Sequence, residues 1–121
     1  MGKRKLYRQG DVLLVKLENS IQFHDYGNPQ DGCIGAHRHE RDSQGRVVLA
    51  RGETTGHAHA IHDPGVVAWS LLSDDRTILD VPQDAKLVHE EHETIELPPG
   101  QYQVIRQREA TDRDEWAMVA D

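Results

Sequence analysis

The chain has 121 residues, of which 36% are hydrophobic and 29% charged, and a formal net charge of −7. This length suits one domain with one core, predicted to span residues 1–121. The acidic balance argues against nucleic acid as the main partner, because phosphate binding needs clustered cations, and no apolar run approaches membrane-spanning length.

Short β-rich runs separated by Gly, Pro and Asp dominate the chain, whereas helical periodicity is scarce. Residues 10–17, GDVLLVKL, predict the first strand after a Gly-Asp pair. Further strands are predicted at residues 47–49, 57–61, 66–72, 77–81, 85–89, 94–97, 101–107 and 115–120. A type II turn at 98–101, PPGQ, is expected to join the strands on either side of it. Seven to nine short strands with regular turns predict an all-β fold, either a small barrel or a sandwich.

The segment near residues 24–46 differs from the rest because it is rich in Gly, Asp, Asn and Pro and poor in apolar residues. We predict a long irregular loop there, which is usually functional or disordered. The segment carries a histidine pair, His37 and His39, beside Arg38 and Arg41. The neighbouring cations favour a polar loop over a metal site at this pair.

Histidine is over-represented, with eight residues in the chain, and three of them lie in TTGHAHAIH at residues 54–62. On a strand, residues two apart share a face, so His57 and His59 would point to one side and His62 to the other. Such a pair can offer two ligands to a single metal ion when further ligands arrive from elsewhere. The alternative interpretation is a histidine-rich strand whose imidazoles hydrogen-bond to each other.

A second cluster, VHEEHE at residues 88–93, contains His89 and His92. Their spacing of three puts them on opposite faces of a regular strand, and it does not fit the zincin helix motif, whose histidines are four apart. We expect one of the two to join His57 and His59 in a three-histidine site with an open position. Such a site suits divalent Zn, Fe, Mn or Ni, between which the sequence does not discriminate. The alternative is a solvated acidic loop without ligand function.

The order of elements resembles a group of small bacterial β-domain proteins of unknown activity. The phrases that carry this resemblance are YRQGDVLLVKL, RGETTGHAHAI and LVHEEHETIELPPGQYQVIRQRE, which with the last predicted strand cover most of the chain outside 20–46. The resemblance implies a compact β domain and no particular reaction.

A weaker resemblance is to the cupins, whose first motif is similar to Gly52, His57, His59 and Asp63, and whose second motif is similar to PPG at 98–100. The resemblance implies a metal site in which His57 and His59 are ligands. Gln103 stands where cupins place their third histidine, and Asp63 stands where they place a glutamate, so the cupin ligand set does not transfer whole.

These observations predict a small metal-binding β protein that uses His57, His59 and a histidine from 89–92, either as an enzyme of unknown substrate or as a binder of a small molecule. The competing hypothesis is a non-enzymatic protein-binding or structural module. A third is a response to pH, because imidazoles gain charge in mild acid and would offset the acidic net charge. Cys33 is the only cysteine, which fits a reducing, cytoplasmic setting. The sequence is compatible with a homo-oligomer.

Overall fold

A computed structural model gives the structure of residues 5–25, 34–52, 56–72 and 76–106. The described residues form eleven strands and no helix, and none of them belongs to a helix that could cross a membrane. In chain order the strands are β1 Leu6–Gln9, β2 Val12–Lys16, β3 Phe23–Asp25, β4 Ile34–Arg38, β5 Val47–Arg51, β6 Ala58–Ile61, β7 Val67–Leu71, β8 Thr77–Val81, β9 Ala85–Val88, β10 Ile95–Leu97 and β11 Gly100–Arg106.

The strands form two sheets. The larger has seven strands in the order β1-β2-β11-β8-β7-β4-β3, and the smaller has four in the order β10-β9-β6-β5. Every pair is antiparallel except β3 and β4, which run parallel. The two sheets form a sandwich-like arrangement. The all-β prediction is therefore confirmed in its sandwich form, and the closed barrel is wrong because the strands divide into two open sheets.

The main core lies between the sheets and is built mostly of aliphatic side chains. Val12, Leu14 and Leu79 of the larger sheet and Ile61 and Leu87 of the smaller one are at most 1% exposed. Tyr102 joins them and donates its hydroxyl to the Pro98 carbonyl at 2.6 Å, so this buried polar group is satisfied. Each aliphatic side chain buried in this way stabilises the fold by about 1.5–3 kcal/mol.

Most predicted strands are found within one or two residues of the expected bounds, and β8 at 77–81 matches them in full. The prediction of one irregular loop over 24–46 is wrong in part, because β3 ends and β4 lies within it. The turn at 98–101 does connect β10 to β11, but these strands lie in different sheets, so the connection crosses the sandwich. The predicted strand at 115–120 lies outside the described residues.

Candidate metal centre

A cleft of about 190 Å³ opens at one end of the sandwich. The end of β5, the start of β6 and the end of β9 meet there, and the turn between β1 and β2 closes its floor. All four histidines that the sequence singled out line this cleft, together with Asp11, Ala50, Arg51, Gly52 and Glu91. The structure thus brings His57, His59, His89 and His92 together in one cleft, and metal binding by them stays a prediction.

His57 and His59 lie at different depths at the start of β6. His59 lies inside the strand and is only 5% exposed, whereas His57 precedes the strand and is half-buried. The pairing of β5 with β6 shifts register between Val48 and Ala50, so that Ala50 lies opposite His59. An irregularity of this kind re-aims side chains at the rim of a sheet.

His89 and His92 both reach the cleft because the chain leaves β9 after Val88 and bends. A regular strand would point these two histidines to opposite faces, so that only one could reach the site. The bend instead brings both of them to the cleft. The His59 and His89 ring centroids are 4.2 Å apart, those of His89 and His92 are 4.6 Å apart, and those of His59 and His92 are 5.8 Å apart. His57 contacts His89 edge-on at 5.7 Å.

The buried side chain of Gln9 determines how His59 is oriented. Its amide nitrogen donates to the carbonyls of Leu87, at 3.0 Å, and Glu93, at 2.8 Å. Both amide hydrogens are therefore used, and Oε1 faces His59 Nδ1 at 2.8 Å. Because an amide oxygen only accepts, His59 Nδ1 must carry a hydrogen. The neutral ring then has its lone pair on Nε2, which points into the cleft.

Asp11, from the turn between β1 and β2, faces this nitrogen. The distance from Asp11 Oδ1 to His59 Nε2 is 3.3 Å. The pKa of His59 lies below its ordinary value, chiefly because of burial. The neighbouring His89 and His92 lower this pKa further, whereas Asp11 raises it. Burial thus favours the neutral ring, which leaves a nitrogen lone pair facing a carboxylate.

His57, His89 and Glu90 form a group at the outer part of the cleft. Each offers one ligand atom, and these atoms lie within 4.8 Å of one another, so the group could hold a metal ion. Glu90 Oε1 accepts a hydrogen bond from the Ala58 amide at 3.0 Å, and this contact is the largest cause that lowers the pKa of Glu90. The carboxylate is therefore ionised and anchored at the start of β6, as an oxygen ligand needs to be.

His89 has one contact that a bound metal would change. The Glu91 amide donates to His89 Nδ1 at 3.0 Å, so the neutral ring carries its hydrogen on Nε2. A metal on Nδ1 would displace the amide directly. A metal on Nε2 would move the ring hydrogen to Nδ1, where it opposes the amide hydrogen. Either mode breaks the bond from Glu91, which makes that amide a reporter of metal binding at His89.

Gln9, Asp11 and Glu90 are site residues that the sequence did not predict. The Gly-Asp pair predicts the start of a strand, whereas Gly10 and Asp11 form a two-residue hairpin turn between β1 and β2. Gly10 has φ +58, and glycine at the first central position is typical of a type II′ turn. A Gly-X pair between two strand-like runs was the available signal, and it would have placed Gln9 and Asp11 at a sheet end.

Comparison with known proteins gives one match. No curated protein and no solved structure matches the chain, and the comparisons give no support to the resemblance to cupins. The family match extends over residues 8–107, which include strands β2 to β11 and every residue that lines the histidine cleft. The chain therefore belongs to the family described as a domain of unknown function, DUF8820.

Proposed function

We propose that this protein binds a divalent transition-metal ion in the histidine cleft, with His57, His89 and Glu90 as ligands. The observation that supports it best is the convergence of ligand atoms from two elements, the start of β6 and the bend after β9, to within 4.8 Å. Two imidazoles and one carboxylate suit Zn²⁺, Fe²⁺, Mn²⁺ or Ni²⁺.

The cleft is open to solvent on the side of His57, Glu90 and Glu91, which are half-buried or exposed. Three protein ligands leave further coordination positions for water or for an oxygen or nitrogen atom of a small molecule. A metal ion held in this way polarises a bound carbonyl or activates a bound water. The proposal is therefore a metal centre able to support catalysis on a small-molecule substrate.

Metal analysis of protein purified without an affinity tag tests this proposal. We expect at least one ion for each wild-type chain after incubation with each of the four ions in turn and removal of the excess. A His57→Ala/His89→Ala variant should lose the ion bound by this group. His62→Ala is the matched control, because His62 is exposed just after β6 and outside the cleft.

The Glu91 amide gives a second readout that does not depend on stoichiometry. Its NMR signal should shift, and its hydrogen exchange should accelerate, when metal is added, because the bond to His89 Nδ1 is lost. A chain that takes up none of the four ions and whose thermal stability they leave unchanged would contradict the proposal. The protein-binding or structural module would then be the better interpretation.

A further inference from the structure

We infer that the floor of the cleft forms a second cation site, in which Asp11, His59 and His92 are the ligands and Gln9 is the positioning residue. It rests on the proposed function only in that the cleft takes cations, since none of these residues belongs to the His57–His89–Glu90 group. The two sites would place two cations side by side in one cleft, where His59 and His89 are in ring contact.

The spacing of Asp11 and His59 fits a shared ion. Nitrogen and oxygen ligands lie about 2.0–2.2 Å from Zn²⁺ in tetrahedral sites, so two such ligands are roughly 3.3–3.5 Å apart. The observed distance from Asp11 Oδ1 to His59 Nε2 is 3.3 Å. This pair therefore already has the separation of two ligands on one ion.

Gln9 fixes the imidazole in the state that a ligand requires. Metal-bound histidines donate their other ring hydrogen to an oxygen, which orients the ring and sets its tautomer. His59 Nδ1 makes this contact to Gln9 Oε1 at 2.8 Å, and the Gln9 amide cannot turn over because it also donates to the Leu87 and Glu93 carbonyls. The same two carbonyls flank the bend that carries His89 and His92, so Gln9 positions both halves of the cleft.

His92, which is exposed, offers a third ligand beside the glycine of the hairpin turn. Its ring has to move closer to the pair, because among the described residues only His57, His89 and Glu90 have three ligand atoms within 4.8 Å of one another. A Cβ atom on Gly10 would lie 2.8 Å from His92 Nε2 and 3.2 Å from His59 Cε1. The space over Gly10 is therefore where the two imidazoles approach each other, one residue away from Asp11. A side chain at position 10 would occupy that space.

Titration of the untagged, metal-free full chain with Zn²⁺ and with Co²⁺, followed by calorimetry and by Co²⁺ absorption, tests the inference. We expect two ions for each wild-type chain. Asp11→Asn, which keeps the shape of the side chain, should reduce this to one, and Gln9→Met should weaken the same ion about 10- to 100-fold. Asp84→Asn is the control for loss of one exposed acidic charge. Thermal unfolding of each metal-free variant verifies that it folds.

The outcomes separate this inference from the proposed function. An ion that is lost in Asp11→Asn but retained in His57→Ala/His89→Ala supports the floor site, even when the outer group binds nothing. Two ions in Asp11→Asn, or a single ion lost only in the double variant, overturn it. The role of Gln9 has a metal-free readout: nitrogen-15 NMR should show hydrogen on His59 Nδ1, and hydrogen on Nε2 instead would contradict it.

Discussion

Gly10 shows how a single residue shapes the cleft. Its φ of +58 is accessible to glycine at little cost, and its missing side chain leaves room for His92 and His59. Two separate requirements, backbone conformation and space, therefore meet at one position. At Gly45 only the backbone conformation requires glycine, since its φ is +78 and a Cβ there would meet nothing within 4 Å.

Comparing Gly10→Ala with Gly45→Ala separates the two requirements. Both variants should lose about 1 kcal/mol of unfolding free energy, because alanine is strained at positive φ. Only Gly10→Ala should also displace the His92 ring and weaken metal binding. Urea unfolding and metal titration of both variants measure these effects. Equal metal affinities in the two variants would show that the space above Gly10 plays no part in the site.

His39 is a second residue whose environment has a measurable consequence. It follows β4, it is half-buried, and its Nε2 is hydrogen-bonded to Ser70 Oγ at 2.6 Å. Burial is the largest cause that lowers its pKa, and the charges of His37 and Arg106 act in the same direction. The sequence-based view of this histidine as part of a polar loop is thus wrong, because it is packed against β7.

The lowered pKa of His39 predicts acid sensitivity. Between the folded pKa and the ordinary value of about 6.5, the unfolded chain binds more protons than the folded one, so stability falls as pH decreases through this range and is retained above it. His39→Gln removes the titrating group and retains a partner for Ser70, and it should lose less stability between pH 7.5 and 5.5 than the wild type. An unchanged loss, measured by urea unfolding, would assign the sensitivity to other groups.

At the scale of elements, β-rich runs separated by Gly, Pro and Asp were enough to locate most strands, because β2, β7 and β8 are runs of this kind whose side chains reach the core. This pattern failed for β1, β3 and β4, whose short sequences LYRQ, FHD and IGAHR carry little apolar signal. The division into two sheets was also beyond it, since the connection from β10 to β11 has the sequence of a hairpin. Which strands pair depends on long-range packing that no local pattern encodes.

The candidate site, too, could be predicted from the sequence only in part. The H-x-H spacing identified His57 and His59 because it is a local feature of the sequence, although only His59 lies within β6. The joint presence of His89 and His92 depends on a bend after Val88, which Gln9 holds from the opposite end of the chain. Asp11 enters the cleft from the other sheet. Contacts of such long sequence separation become visible only once the sheets are packed.

Arg41 joins the connection between β4 and β5 to the connection between β6 and β7. Its guanidinium donates to the carbonyls of Gly45, Asp63 and Val66 at 2.7–3.0 Å, and to His62 at 3.4 Å. It thereby holds the segment before β5 against the segment between β6 and β7. A planar group with five donors can serve several acceptors at once, and a lysine ammonium cannot reproduce this geometry.

Arg41→Lys should therefore destabilise the fold by about 1–2 kcal/mol although the charge is retained, because some of the carbonyls lose their partner. Arg38→Lys, at an exposed position of β4, is the control and should change stability by less than about 0.5 kcal/mol. Chemical denaturation of both variants gives the comparison. Equal stability of the two would mean that the Arg41 contacts contribute little beyond charge.

At the scale of the whole molecule, the ligands of the cleft come from both sheets. Asp11 belongs to the turn of the larger sheet, and the histidines belong to the smaller sheet and the bend after β9. Asp11 is distant in sequence from His59 and His92, so these ligands are not held together in the unfolded chain. Only the residues at 89–92 stay close to one another there. An ion at the floor site should therefore bind the folded chain selectively, which is the condition for stabilisation by mass action.

Metal should accordingly raise the thermal stability of the wild-type chain. Free ion at 100 times its dissociation constant stabilises the folded state by about 2.7 kcal/mol, which corresponds to a rise in Tm on the order of 10 °C for a chain of this size. The rise should be smaller in Asp11→Asn and nearly absent in His57→Ala/His59→Ala, which removes one imidazole from each site. Calorimetric scans with and without Zn²⁺ measure it. An equal rise in all three chains would mean that the ion binds elsewhere, since the residues that face each other across the cleft would then be irrelevant to its affinity.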